Sequence, residues 1–150
     1  MSTSIAECAR LLAQQGVRHH VDAEQEVIRV VLVTHRYRNR RDEKLAVIGL
    51  EAPDHGRRVR LCLRRAFETG GDPATLCLAA CRLAADTPLV SAEFDADFDD
   101  LRLVVETAVE DGALGPLQLA SMIDRLVDAA EVWSVALGTA CPAQRGRGAA

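Results

Sequence analysis

The sequence predicts an α+β domain with an antiparallel sheet flanked by helices, and three observations lead there. Segments rich in β-branched or alternating residues follow one another across short turns, as hairpin-linked strands do. Segments with apolar residues at three- and four-residue spacing stand before, between and after them. The short links between consecutive strands imply an antiparallel sheet with helices packed on it. The expected order is α-β-β-β-α-β-β-α.

The first helix is expected over about residues 4–15. Ser4-Ile5-Ala6-Glu7 has the spacing of a capping box, Ile5, Cys8, Leu11 and Leu12 recur on one face, and Gly16 stops the element. Glu26–His35 contains Val27, Ile28, Val30, Val31 and Val33 and reads as a strand, followed by a shorter one over Leu45–Leu50. Both are apolar on two faces, so their second side needs a cover. Pro53-Asp54-His55-Gly56 is a turn. After it, Val59, Leu61 and Leu63 alternate with Arg58, Arg60 and Arg64, one face wet and one buried.

Gly70-Gly71 breaks the chain, Asp72 caps a helix with Pro73 at its first position, and Asp86-Thr87-Pro88 ends it. Val90–Asp95 and Leu101–Glu106 alternate again as two strands. The last helix is expected over 116–137, with Leu119, Ile123, Leu126, Ala130, Trp133 and Leu137 in one stripe. Residues 1–137 thus form a single domain, and 138–150, small, polar and basic, are expected to be a disordered tail.

Of 150 residues, 49% are hydrophobic and 27% charged, which is globular composition with enough apolar residues for a core. No apolar run approaches the roughly 18 residues of a membrane span, and the first residues lack a secretory pattern. The chain is expected to be cytoplasmic. The five cysteines, Cys8, Cys62, Cys77, Cys81 and Cys141, are scattered and odd in number, which argues against a disulfide framework. Cys77 and Cys81 lie one helical turn apart without further ligands, so small buried apolar residues are expected there, not zinc.

Asp95, Asp97, Asp99 and Glu106 fall on calcium-loop positions, but Asp100 occupies the place that requires glycine and the flanks alternate as strands. An acidic hairpin tip is expected, with no metal and no cofactor. His19, His20, His35 and His55 complete no catalytic or metal motif, and no nucleophile–base pair can be named, so no enzyme is expected.

Charge is segregated. Residues 34–65 hold ten Lys/Arg against four Asp/Glu, whereas residues 86–131 hold two against twelve. The run His35-Arg36-Tyr37-Arg38-Asn39-Arg40-Arg41 could contact RNA, with Tyr37 as its one stacking residue. Acidic surface elsewhere disfavours nucleic acid. A solvated, edge-protecting hairpin outweighs RNA contact. From the charge asymmetry Arg36, Arg38, Arg40 and Arg41 are expected to steer an acidic partner protein, with a nucleic-acid-binding regulator using this hairpin as the alternative. The middle helix has two apolar faces. Leu76, Ala79, Ala80 and Leu83 are expected in the core, and Ala74, Leu78, Cys81 and Ala85 in a homodimer interface.

In its order of elements the chain resembles the bacterial YbjN-like family, which shares the fold of type III secretion chaperones. The likeness runs from about Ser4 to Leu137. It rests on the Leu11-Leu12 helix ending at Gly16, the three-strand meander, the Asp72–Ala85 helix, the hairpin centred on Ala96–Asp100 and the long helix bearing Trp133. The chain has Ala84-Ala85-Asp86 where that family often ends its middle helix with asparagine. The resemblance implies a dimeric, non-enzymatic module, chaperone-like or regulatory, that binds an extended segment of another protein. It carries over no catalytic residue.

Overall fold

A computed structural model describes residues 3–70, 72–109 and 113–140. The order is α1 (Ile5–Gln14), β1 (His19–Asp22), β2 (Val27–Val33), β3 (Leu45–Glu51), α2 (Pro53–Gly56), β4 (Arg58–Glu68), α3 (Pro73–Ala85), β5 (Ser91–Asp95), β6 (Asp100–Ala108) and α4 (Pro116–Ala140). The strands form one antiparallel sheet in the order β1-β2-β3-β4-β6-β5. The expected α+β architecture is therefore present, with two additions and one longer helix.

β1 is the element the sequence reading missed. His-His-Val-Asp holds a single β-branched residue, and the strand exists through its pairing with Val27–Val30 at the edge of the sheet. α2 stands where a turn was expected, and it is a turn in substance. Asp54 and His55 inside it take left-handed dihedrals, with φ of 54° and 56°. Gly56 must be glycine: its φ is +79°, and a Cβ there would lie 2.1 Å from the Thr3 carbonyl oxygen. α4 continues through Gly138 to Ala140, past the expected end at 137. The rest of the expected tail, residues 141–150, lies outside the described residues, as do Gly71 and Cys141.

The core lies between one face of the sheet and the helices. Ile28, Val30, Ile48, Leu50, Leu61 and Leu103 point inward from five or fewer per cent exposure, against Leu11 and Leu12 of α1 and the α4 stripe from Leu119 to Leu137. Burying such side chains contributes about 1.5–3 kcal/mol each, which is why the sheet and α4 hold together. Trp133 is fully buried, and its Nε1–H donates to Thr87 Oγ1 at 3.0 Å, so its polar atom is satisfied. Ser4 caps α1 through an oxygen accepting from the Glu7 amide at 3.1 Å, while the Glu7 carboxylate turns to Arg10 instead of closing the capping box.

Candidate interaction surface

Three regions could meet a partner: the outer face of the sheet, the β2–β3 loop and the outward face of α3. The outer face has two different halves. Over β4, β6 and β5, Arg60 bridges Glu93 (2.7 Å) and Glu106 (3.1 Å), Arg58 pairs with Glu106 (2.6 Å) and Arg102 with Glu93 (2.8 Å). This network rests above Cys62 and Val104, which stay buried although they face outward. Its hydrogen bonds from Arg60 and Arg102 hold the Glu93 carboxyl below its ordinary range in spite of partial burial. Over β2 and β3 there is no such cover. Val31, Val33 and Val47 remain 47%, 75% and 43% exposed there.

The same network explains the segregated charge. β4 belongs to the basic segment and β6 to the acidic one, and the sheet places them side by side. Much of the charge that looks unbalanced along the sequence is neutralised inside the fold.

The β2–β3 loop is held down at two points. Backbone amides of His35, Arg36 and Tyr37 donate to the Glu131 carboxylate of α4 at 2.5, 2.6 and 3.0 Å. Burial disfavours the charged form of Glu131, but these three hydrogen bonds outweigh it and hold the carboxyl below its ordinary range. Tyr37 is consequently buried, with its ring edge-on to Phe67 at 5.9 Å. It is not available to stack on a base, so the one aromatic residue of the RNA-contact reading belongs to the core. The sequence carries no local signal for this, since Glu131 is 94 residues away from Tyr37.

The second point is Arg40, whose Nη2 donates to Asp100 Oδ2 at 2.5 Å, with Glu68 3.6 Å from its Nε. Asp100 is fully buried, and its Oδ1 has no hydrogen-bond partner among the described residues. Burial raises its pKa and Arg40 opposes that rise. Of the four arginines assigned to a partner, Arg38 also binds within the loop, to the Asp42 carbonyl at 2.8 Å. The side chains of Arg36 and Arg41 make no ion pair among the described residues, and both residues are exposed.

Arg40→Gln is expected to cost about 2 kcal/mol of stability at neutral pH. The figure lies below the usual cost of a broken buried pair because Arg40 is one-third exposed. Without Arg40, burial is opposed only by the more weakly acting Arg65 and lifts the folded-state pKa of Asp100 further, so the loss appears as pH rises above the unfolded-state value. Acidification should narrow the gap between variant and wild type. Chemical denaturation at several pH values reads this directly, and a gap that widens in acid would refute it.

The other expected site residues are dispersed. Asp95 Oδ1 accepts from the Asp97 amide, and Asp99 Oδ2 accepts from Thr69 Oγ1. With Asp100 turned to Arg40, the acidic run is a folded hairpin tip. Among the described residues no three His, Cys, Asp or Glu side chains come together as metal ligands. The histidines lie on β1, in the β2–β3 loop and in α2. A cavity of about 630 Å³ beside the start of α1 includes Ser4, Asp54 and His55, but the Ser4 oxygen caps the helix and Asp54 pairs with Arg58. Cys8 and Cys62 are buried, and burial pushes the Cys8 thiol up to about 11. Cys77 is only half-buried and Cys81 exposed, contrary to the expectation of buried small residues. The cause is that α3 lies at the side of the domain against α4 and β5, with one face left outward.

On α3, Leu76 and Ala80 are buried and Ala79 and Leu83 partly so, as the helical spacing predicts. Ala74, Leu78, Cys81 and Ala85 are all exposed, Leu78 at 56%. Leu89, just past the helix, is 72% exposed and held at φ +65°. Among the described residues no helix is long and apolar enough to cross a membrane.

No protein-family model matches the chain, and no curated protein sequence matches it significantly. Solved structures do. YbjN from E. coli, described as a candidate transcription regulator, aligns with a TM-score of 0.61 and 13% identity over 91% of this chain and 92% of that one. The Yersinia pestis type III secretion chaperone SycH, in complex with a fragment of YscM2, aligns at 0.53 and 21% over 81% and 92%. The SchA–HopA1 chaperone–effector complex aligns at 0.56 and 12% over 83% and 87%. At such identities the likeness speaks for architecture. The chain has the YbjN-like fold shared with the type III secretion chaperones.

Proposed function

We propose that this chain is a non-enzymatic protein-interaction module, a homodimer that holds an extended segment of a partner protein in a chaperone-like or regulatory role. The observation that carries the reading is apolar surface left bare in two places, on the β2–β3 half of the sheet and on the outward face of α3. Ordinary monomers leave apolar residues singly exposed; contiguous ones mark interaction sites. The α3 face of Ala74, Leu78, Cys81 and Ala85 suits a two-fold pairing of like patches. Arg36, Arg38, Arg40 and Arg41 give the loop a positive edge that favours an acidic partner, with Arg36 and Arg41 the two whose charge is uncommitted. That SycH and SchA were each seen bound to another protein supports a protein partner. Binding of nucleic acid is disfavoured by the burial of Tyr37 and the pairing of Arg38, Arg40, Arg58 and Arg60 within the chain.

The test is affinity capture on the full chain, followed by binding of peptides tiled across the recovered proteins. A single peptide segment that binds without the rest of its parent protein is the expected result. Capture of nucleic acid alone, or of partners that bind only when folded, would overturn the reading.

A further inference from the structure

The pairing of β3 with β4 is short. It covers only Gly49–Glu51 against Arg60–Cys62, although β3 begins at Leu45 and β4 runs to Glu68. Beyond Cys62, β4 carries a register shift between Leu63 and Phe67, with Arg65 at φ +51°. A bulge of this kind bends a strand out of its ladder; it lies in the β4–β6 ladder, and β3 and β4 part beyond the Gly49–Cys62 pair. A cavity of about 330 Å³ opens in the parting, lined by Val47, Leu63, Arg64, Arg65 and the loop residues Arg40 and Arg41. A second, of about 570 Å³, lies on the outer face over Val27, Arg29, Val47, Gly49, Cys62 and Arg64. The two share Val47 and Arg64, so they form one groove across the uncovered half of the sheet.

Gly49 makes the floor of this groove. Its backbone is that of an ordinary strand residue, and a Cβ there would make only normal contacts, 3.7 Å to Val27 Cγ1 and 3.8 Å to the Cys62 carbonyl. Glycine is therefore not required by conformation or by crowding; its effect is to leave space between Val27, Val47 and Cys62. The rim is basic. Five arginines line the groove (Arg29, Arg40, Arg41, Arg64 and Arg65) against two acids, Glu43 and Glu51, although Arg29 pairs with Asp22, Arg40 with Asp100 and Glu68, and Arg65 lies over the Phe98 ring. Arg64 is 69% exposed even while its Nη2 reaches Glu51 at 3.1 Å, and Arg41 makes no ion pair among the described residues.

From this geometry we infer that the groove is a binding site for an extended acidic peptide, in which small apolar side chains alternate with carboxylates. This specifies the partner segment of the function proposed above, and rests on that reading. An extended strand sends successive side chains to opposite sides. One set fits the valine and glycine floor, and the other reaches the arginine rim, where carboxylates are bound bidentately. A nucleic acid would face Glu43 and Glu51 here, and the aromatic ring that lines the groove, Tyr37, is buried.

The test uses the full chain and a fluorescein-labelled Asp-Val-Asp-Val-Glu-Val-Asp-Val peptide, followed by fluorescence polarisation. Saturable binding that weakens with salt is expected, with at least a tenfold loss in Gly49→Phe, which fills the floor, and in Arg64→Glu, which reverses the rim. Arg125→Glu, the same charge change on α4, should bind as wild type, and circular dichroism should report all three variants folded. Should Gly49→Phe fold poorly, Gly49→Gln provides the second filling variant. A Lys-Val peptide binding equally well, or insensitivity to both groove substitutions, would overturn the assignment. So would displacement of the acidic peptide by a twelve-nucleotide single-stranded RNA at lower concentration, or a groove substitution that changes the oligomeric state. If a tiled segment of a captured partner binds the groove variants as tightly as wild type, the groove is wrong and the protein-binding reading stands. If no segment binds at all, that reading falls with it.

Discussion

Replacing Glu131 with alanine is expected to lower stability by about 2 kcal/mol and to free the β2–β3 loop while the sheet stays intact. Three consecutive backbone amides, of His35, Arg36 and Tyr37, converge on this one carboxylate. Hydrogen bonds to a charged group contribute roughly 1.5–3 kcal/mol each when buried. His35 and Arg36 are exposed, so water can replace part of what they lose, and Tyr37 supplies most of the cost. Glu131→Gln should fall between wild type and alanine, because it retains an acceptor oxygen but not the charge. Hydrogen exchange is the sharper measurement, with amides 35–37 exchanging at least tenfold faster in the alanine variant. Unaltered protection there would mean that the loop is anchored by something other than this carboxylate. The pH dependence has a definite sign. The folded-state pKa of Glu131 is depressed, so its contribution is present above the unfolded-state pKa and is lost as pH falls through the folded-state value. Wild type and variant should converge in acid.

That anchor also marks where sequence reading reaches its limit. Local chemistry made the helices and most strands legible: the Ser4 cap and Gly16 stop of α1, the Asp72-Pro73 start of α3, the stripe from Leu119 to Leu137. The alternation of Val59, Leu61 and Leu63 with arginines gave the inward face of β4 correctly. β1 was illegible because His19–Asp22 has little strand propensity and is extended only by its neighbour. The candidate surface was half legible. The two-sided apolar character of β2 and β3 pointed to a bare outer face, and the double face of α3 pointed to exposed Leu78 and Cys81. What the sequence could not reveal was which charges find each other. Arg60 meets Glu93 and Glu106 because β4 lies next to β6. Arg40 is 60 residues from Asp100, and in an aspartate-rich run nothing singles out the one that is buried. Pairings of this kind depend on sheet order and loop path, and those are settled by the packing of the whole chain.

Cys81→Arg is expected to convert the proposed homodimer into a folded monomer. In the isolated chain Ala74, Leu78, Cys81 and Ala85 are exposed on α3, while Leu76 and Ala80 on the opposite side are buried. No described residue of the chain covers the outer set, so a second copy is the proposed cover. Its alanines and cysteine are small enough to let two helices approach closely, and Leu78 is the one large side chain to pack between them. Arginine is a good helix former and would be solvated on the monomer, so the substitution should leave the fold unharmed. Within a two-fold seam the same side chain would be present twice, facing its own copy, and burying unpaired charge costs several kcal/mol. At 1.4 kcal/mol per tenfold, this weakens association by about a thousandfold or more. Light scattering at tens of micromolar should show a dimer for the native chain and a monomer for the variant, with matching circular dichroism. Leu78→Arg should act in the same direction, because it places the charge on the same face. A native chain that scatters as a monomer at that concentration, or a Cys81→Arg chain that remains a dimer, would remove α3 as the interface. The bare leucine would then need a different partner.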